Sequence, residues 1–406
     1  MRFVVAQIGA RRGYAVPAIL EQAGLLEHFY TDLTADVGLG RWLVKCGPLM
    51  GFGRAASRLA RRRLPECIRG KTTTFAWPSL WFGCNRALCE RDPAEKFREQ
   101  LRWDRTLGSA MVRRGFGQAT HLYTMLGECA PILAEARRRG LGIVTEVYIL
   151  LSTERILKRE HNAFPAWETA APDFDAVRRE FPEQEALLTH TDFAVCPSEV
   201  VRRDLVENFG FPAARSDVVP YGLDKSWLSL HPRTVAGRVL FVGTAGLRKG
   251  IHYLGAAAGL LRARRRNYEF QVAGDVSPQT AIQPECRCLE FLGRVPPDQM
   301  RQLYVTADVF VLPSLAEGSA EATYEALAAG LPVITTAAAG SVVRDGIDGR
   351  IVPERDAVAL ARAIEELVEN RPARARMSAA ARRRALDYEL ERYGERLMAA
   401  LRSFTR

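Results

Sequence analysis

The sequence predicts an α/β chain of two tandem doubly wound domains facing across a cleft. Three observations carry that expectation. With 406 residues and 48% hydrophobic content, the chain exceeds what one core usually serves. Short apolar runs alternate with helix-period segments, the pattern of parallel sheets covered by helices on both faces. The alternation runs twice, and the two series are separated by residues 222–237, where Pro232 and Gly237 mark a linker.

In the first domain, expected over residues 1–221, apolar runs predict strands at Arg2–Ile8, His121–Met125, Leu141–Val147 and Phe193–Cys196. Helices are expected at Ala130–Arg139 and at Ser198–Asn208, the latter with Ser198 as its N-cap. The polar stretch Leu151–Glu185, with Pro165, Pro172 and Pro182, reads as an inserted helix and loop. In the second domain, expected over 222–389, strands recur at Arg238–Val242, Glu269–Ala273, Cys288–Leu292, Val309–Leu312, Val333–Thr336 and Arg350–Val352. Helices between them include Ile251–Arg264, Pro297–Thr306 and Ser319–Ala329. The amphipathic segment Leu390–Phe404, within a helix expected over 390–406, crosses back onto the first domain in this reading.

The formal net charge is +10, and its distribution says more than its size. From Arg41 to Lys71 there are nine Lys and Arg (41, 45, 54, 58, 61, 62, 63, 69 and 71) against one acid, Glu66. Trp42, Leu43, Leu49, Met50, Phe52 and Leu59 are interleaved with them, which suits a helix or loop lying on an anionic membrane surface; a solvated arginine-rich face is the plainer alternative. No zinc-finger spacing, RNA-recognition signature or basic heptad repeat accompanies the charge, so nucleic acid is not the expected partner. The eight cysteines are scattered. The nearest pairs, Cys84/Cys89 and Cys286/Cys288, lack further ligands at metal-binding spacing, and no metal site is expected. The start MRFVVAQIGARRGY is a strand and loop rather than a signal peptide or membrane span, so the cytoplasm is the expected compartment, with the inner face of the membrane as the surface a peripheral protein would meet.

Three strand-end loops of the second series carry the chemistry. In Phe241-VGTAGLRKGIHYL, glycines 243, 246 and 250 let backbone approach a ligand around Thr244, and Arg248 and Lys249 place two cations just before a helix, fit to hold a pyrophosphate. Glycine spacing there matches neither a dinucleotide fingerprint nor a P-loop. Phe291-LGRVPPDQM, with Arg294, offers a peptide edge that could read a base, or is an ordinary connection. In Leu312-PSLAEGSAEATYEALAAGLPVITT, Glu317 and Glu325 have seven residues between them. The first falls in the turn before an Ala-rich helix and the second two turns into it. The peptide N–H groups of Ser319 and Ala320, next to Gly318, attract an anion to the helix start, and the carboxylates accept hydrogen bonds from sugar and ribose hydroxyls. Phosphate and polyols together point to a sugar nucleotide. The plainer alternative makes Glu317 and Glu321 complements of the helix dipole and Glu325 a surface charge.

Taken jointly, these loops resemble the second domain of family-four retaining glycosyltransferases, a family of two Rossmann-like domains of the GT-B type. The resemblance rests on Lys249-Gly250, Phe291-Leu-Gly, Ala307-Asp-Val-Phe-Val-Leu-Pro-Ser, the Glu317/Glu325 pair, Glu325-Ala-Leu-Ala-Ala-Gly-Leu-Pro-Val and Asp345-Gly-Ile-Asp-Gly. Upstream, Val195-Cys-Pro-Ser and Val219-Pro-Tyr-Gly-Leu-Asp match the end of the first domain and the junction. It covers Phe193 to Leu367 well and the first 190 residues loosely. What it implies is metal-independent transfer of a sugar, with retained configuration, from a nucleoside-diphosphate sugar to an acceptor: lipid-linked, polysaccharide or small metabolite. No further cofactor is implied.

Position by position, the resemblance gives Lys249 the donor's distal phosphate, Glu325 the ribose hydroxyls and Glu317 the donor sugar, with Ser319 and Ala320 offering amides. Gly9, Arg11 and Arg12, in Gly9-ARRGY, would face the phosphates from the first domain. There are departures. Thr244 stands where the family commonly has arginine, leaving Arg248 to supply the second cation. Gly318-Ser319-Ala320 replaces Gly-Phe-Gly, and Glu321 adds a carboxylate. The usual first-domain histidine is absent from Thr145-Glu-Val-Tyr148, so Tyr148 or Glu146 takes its place, with His121 and His161 as alternatives. A sugar-nucleotide epimerase on the same scaffold, and a non-catalytic sugar-nucleotide or membrane-binding protein, are the rival readings.

Overall fold

The computed structural model describes residues 1–47, 53–88, 92–184 and 187–404. Leu49, Met50 and Phe52 of the basic segment, Cys89, Glu185 at the end of the expected insertion and residues 405–406 of the last helix lie outside the described residues, as do the side chains of Arg54 and Cys84.

Thirteen strands are found among the described residues: β1 Phe3–Ala6, β2 Leu26–Thr31, β3 Thr72–Thr74, β4 His121–Met125, β5 Gly142–Glu146, β6 Phe193–Cys196, β7 Ser216–Val218, β8 Arg238–Val242, β9 Glu269–Ala273, β10 Leu289–Gly293, β11 Val309–Leu312, β12 Val333–Thr335 and β13 Gly349–Ile351. They form two sheets, in the orders β3-β2-β1-β4-β5-β6-β7 and β10-β9-β8-β11-β12-β13. The pairings of β1 with β2 and β4, and of β8 with β9 and β11, are parallel. In each sheet the winding reverses at the first strand of the series, the doubly wound arrangement that the alternation of apolar runs and helices predicts.

β4, β6, β8, β9 and β11 coincide with their apolar runs, because strands buried on both faces leave an uninterrupted signal. All four residues of β11 are wholly buried, as are Phe3, Val4 and Val5 of β1. Around β1 and β4 the core is made by Val4, Tyr30, Leu122 and Ile143 with Leu107 and Met111 of helix Pro93–Arg114 and Ile132, Leu133 and Ala136 of helix Ala130–Arg138.

Two helix starts differ from expectation for identifiable reasons. Ser198 occupies the N-cap of helix Glu199–Phe209, but its hydroxyl donates to the Gly318 carbonyl and caps nothing. The Ala-rich helix runs Glu321–Ala328 rather than from Ser319, because Ser319 Oγ donates to Gly340 O (2.8 Å) and Ala320 N–H to Ala339 O (3.1 Å), which holds the chain extended.

The chain packs as two compact units. The first comprises Met1–Val147 and Ala171–Val195; the second comprises Tyr148–Ala170 and Cys196–Arg406. Helix Leu390–Phe404 lies in the second unit, where Tyr393 is buried and Arg396 donates to the carbonyls of Asp387 and Pro220.

Candidate functional site

β8 and β11 are neighbours at the reversal point of the second sheet, so the loops leaving their carboxyl ends flank a crevice of the kind that binds ligands in open α/β sheets. The loop after β8 turns at Gly243, whose φ of 140° and position 2.7 Å (for a notional Cβ) from Lys249 Cε admit no side chain. Lys249 therefore folds back over its own loop. The turn is stitched to the loop after β11: Arg248 O accepts from Leu315 N–H (2.8 Å), and an Arg248 guanidinium nitrogen donates to Ala316 O (2.9 Å). Gly250 lies against the Pro313 carbonyl, where a Cβ would come within 2.0 Å.

This stitching brings together Lys249, Arg248 and Glu317. Lys249 Nζ is 2.7 Å from Glu317 Oε1, and Arg248 is 2.8 Å from Oε2. Glu317 is only 9% exposed. Burial pushes its pKa up, but the charges of Lys249 and Arg248 outweigh it and hold the carboxyl below its ordinary value.

Glu325 is also held. Tyr304, wholly buried, donates its hydroxyl to Oε2 at 2.7 Å. Burial pushes the Glu325 carboxyl up to about 7, against the Tyr304 hydrogen bond, and the nearby charge of Glu321 adds to the rise. Glu321 itself is exposed at the first position of its helix. Of the two amides expected to meet a ligand, Ala320 N–H is already bound to Ala339 O, which corrects that assignment. No protein acceptor is found for Ser319 N–H among the described residues. Gly318 is required by packing, since a Cβ there would fall 1.7 Å from Tyr148 O.

Other sequence candidates are engaged elsewhere. Arg294 forms a two-pronged ion pair with Asp275, Nε to Oδ1 at 2.6 Å, on the surface. Thr244 is exposed. Gly246 makes room for Glu168, whose Oε1 accepts from Leu247 N–H at 2.7 Å. At the end of β1, Gly9 N–H donates to Asp32 Oδ1 (3.1 Å), and Arg11 pairs with Glu128 at 2.6 Å. Arg12 is buried and clasps both oxygens of Glu146 at 2.7 Å, with Tyr123 OH on the same carboxylate. Arg12 and Glu146 therefore neutralise each other, and neither presents an open charge. Arg12 and Tyr14 hold positive φ (46° and 64°), so this loop carries two strained residues; Cys129, Arg265 and Arg355 are others elsewhere. Tyr148 is half-buried.

Three acids went unread in the sequence. Glu128, at the reversal point of the first sheet, accepts from Ile8 N–H (2.8 Å) and Arg11. Its signal was a glycine-acid pair directly after β4. Glu168 holds the turn before Lys249. Glu160, 2% exposed, accepts from Tyr253 OH (3.1 Å), lies 3.2 Å from His252 Nε2 and pairs with Arg355. Burial pushes His252 down despite that carboxylate. Each of these partners stands at least 79 residues from its acid (Leu247 and Glu168 are the nearest pair), and no local pattern marks such pairs.

Against known proteins, residues 236–370 match the family described as Glycosyl transferases group 1. Glycogen synthase of Mycobacterium tuberculosis is 28% identical over 309 residues, 70% of this chain and 71% of that protein. D-inositol 3-phosphate glycosyltransferase of Geodermatophilus obscurus is 30% identical over 278 residues, 62% of this chain and 60% of that one. Among solved structures, sucrose-phosphate synthase of Thermosynechococcus elongatus superposes with a TM-score of 0.68 at 18% identity, over 100% of this chain and 99% of that one. HepE of Anabaena, solved with UDP, gives 0.62 at 14% identity, over 99% and 100%. At these identities the structural likeness speaks for the fold.

Proposed function

We propose that this protein, whose residues 236–370 match the group 1 glycosyltransferase family on a chain with the GT-B fold, transfers a sugar from a nucleoside-diphosphate sugar to a hydroxyl acceptor, with retention of configuration and without a metal. The observation that carries the reading is the convergence of Lys249, Arg248 and Glu317 at the carboxyl ends of β8 and β11. The donor half is residues 222–389 and the acceptor half residues 1–221; the acceptor is lipid-linked, a polysaccharide or a small metabolite. The enzyme works in the cytoplasm, with Arg41–Lys71 against the anionic inner face of the membrane.

In this reading the diphosphate takes up the two cations that Glu317 now holds. Cations fixed where negative charge develops stabilise the departing diphosphate, and they do so most strongly in a site shielded from water. Glu317, freed at Oε1, accepts a hydrogen bond from a hydroxyl of the donor sugar. Glu325, ionised, accepts from the ribose. The bond between the anomeric carbon and the phosphate oxygen breaks, the acceptor oxygen bonds to that carbon on the same face, and the acceptor proton passes to the leaving phosphate. The products are the glycoside and the nucleoside diphosphate. Glu317 and Glu325 are thus hydroxyl acceptors rather than the acid and base of a hydrolase.

A thermal-shift screen with UDP, GDP and ADP tests the donor site, since a ligand bound only by the folded state raises apparent stability. One nucleotide should raise Tm in the wild type, and Lys249→Ala should weaken it by about tenfold or more, as expected for loss of a charged contact. Transfer should persist in EDTA, and NMR of the product should show the donor's anomeric configuration. Unchanged transfer in Lys249→Ala and Glu325→Ala would remove this site from consideration.

A further inference from the structure

We infer that helices Gly38–Cys46 and Ala76–Leu88 form a surface that seats the indoles of Trp42, Trp77 and Trp81 at the headgroup level of an anionic bilayer. The chain has six tryptophans. Three of them are exposed, two of these largely in water: Trp77 is 77% exposed, Trp81 74% and Trp42 47%. These three sit on two helices that pack against each other, and Trp77 and Trp81 are one turn apart on the same side of theirs. A folded chain rarely leaves its largest apolar side chains uncovered in a group. Indole, with an apolar body and one N–H, suits the boundary between lipid chains and headgroups.

The cations on the Trp42 helix and on the segment that follows it select the partner. Arg41 and Lys45 lie one turn apart on the Trp42 helix, and Arg58, Arg61 and Arg63 follow. All five are exposed, and no carboxylate among the described residues pairs with them. Two other members of the basic run do not contribute: Arg62 turns inward to Asp32, and Lys71 pairs with Glu21 at 2.7 Å. A second copy of a chain carrying +10 would be repelled by such a face, whereas phosphate headgroups are attracted to it. No helix among the described residues is long and apolar enough to span a bilayer, which fits a surface that lies in the interface plane. The inference rests on the reading that Arg41–Lys71 meets an anionic membrane, and extends it to Trp77 and Trp81, which lie beyond that segment.

The test uses the full chain with vesicles of phosphatidylcholine alone or with phosphatidylglycerol, read by co-sedimentation and by quenching of tryptophan emission with brominated lipid. Wild type should bind only the phosphatidylglycerol vesicles, with blue-shifted and quenched emission. Trp77→Ser/Trp81→Ser should lose at least tenfold in affinity and most of the quenching, while keeping the wild-type melting temperature. Arg61→Gln/Arg63→Gln should weaken binding at low salt and leave the quenching of the bound fraction intact. Binding with no quenching, equal in wild type and the tryptophan variant, overturns the seating of the indoles and leaves the basic contact standing. Absence of binding by wild type overturns both. A dimer in sedimentation velocity that Trp77→Ser/Trp81→Ser abolishes reassigns the face to self-association and overturns the inference.

Discussion

Glu325 turns burial into a pH dependence. Its carboxyl titrates at about 7 in the folded protein against an ordinary value of 4.5, so the folded state holds the extra proton between those limits. The stability this group contributes is complete below pH 4.5 and is lost as pH rises through about 7. The loss is at most about 3 kcal/mol, since each tenfold change in proton affinity is worth about 1.4 kcal/mol, and it is less to the extent that water reaches the side chain. Glu325→Gln should therefore flatten the fall in Tm between about pH 5 and pH 8 that the wild type shows, in melts at matched ionic strength. If the ionised form accepts the ribose hydroxyls, nucleotide binding near pH 7 releases a proton. Calorimetry in buffers of different ionisation enthalpy reads that directly, and equal heats in all of them would rule it out. Glu317 behaves oppositely, because two cations hold its carboxyl down, so it remains charged where Glu325 is half protonated.

Among elements, the loops after β11 and β12 leave little room where they meet. Gly318 packs on the Tyr148 carbonyl and Gly340 on the Gly318 carbonyl, with 1.7 and 2.3 Å left for a Cβ. Gly318→Ala should destabilise by roughly 1–3 kcal/mol or more through overpacking against rigid backbone, measured by urea unfolding. Helix Thr153–Ala163 is fixed by Glu160. Glu160→Ala should cost roughly 3 kcal/mol, because it strips the buried His252 ring and the half-buried Tyr253 hydroxyl of their partner and leaves Arg355 only its longer contact to Glu354, and Glu160→Gln should cost less. The strands that the sequence did not reveal are instructive. β2 reads Leu-Glu-His-Phe-Tyr-Thr with Glu27 and His28 half-buried, β3 is three threonines at a sheet edge, and β7 is Ser-Asp-Val, so none has the apolar run that marked β8 or β11. Lys249, Arg248 and Glu317 could be anticipated because glycine turns and a helix start flag their loops. The engagement of Ala320 N–H, Arg294 and Arg12 could not, because each depends on where a distant carbonyl or carboxylate comes to rest.

At the scale of the molecule, the two sheets share one winding order, and each of the two units has its own buried strands. Scanning calorimetry should accordingly resolve two transitions, and a nucleotide that binds the β8 and β11 loops as proposed should raise one of them and leave the other in place. A single transition displaced as a whole would show that the units melt together. The grouping of Tyr148–Ala170 with the second unit, although it precedes β6 in the chain, bears on how such proteins can be recombined. A chimera that transplants a donor half by cutting near residue 196 or residue 222 leaves Glu160 and Glu168 behind, and with them the partners of His252, Arg355 and Leu247. The exchangeable module is discontinuous, and a graft that carries residues 148–170 along with it should fold where the simple crossover fails.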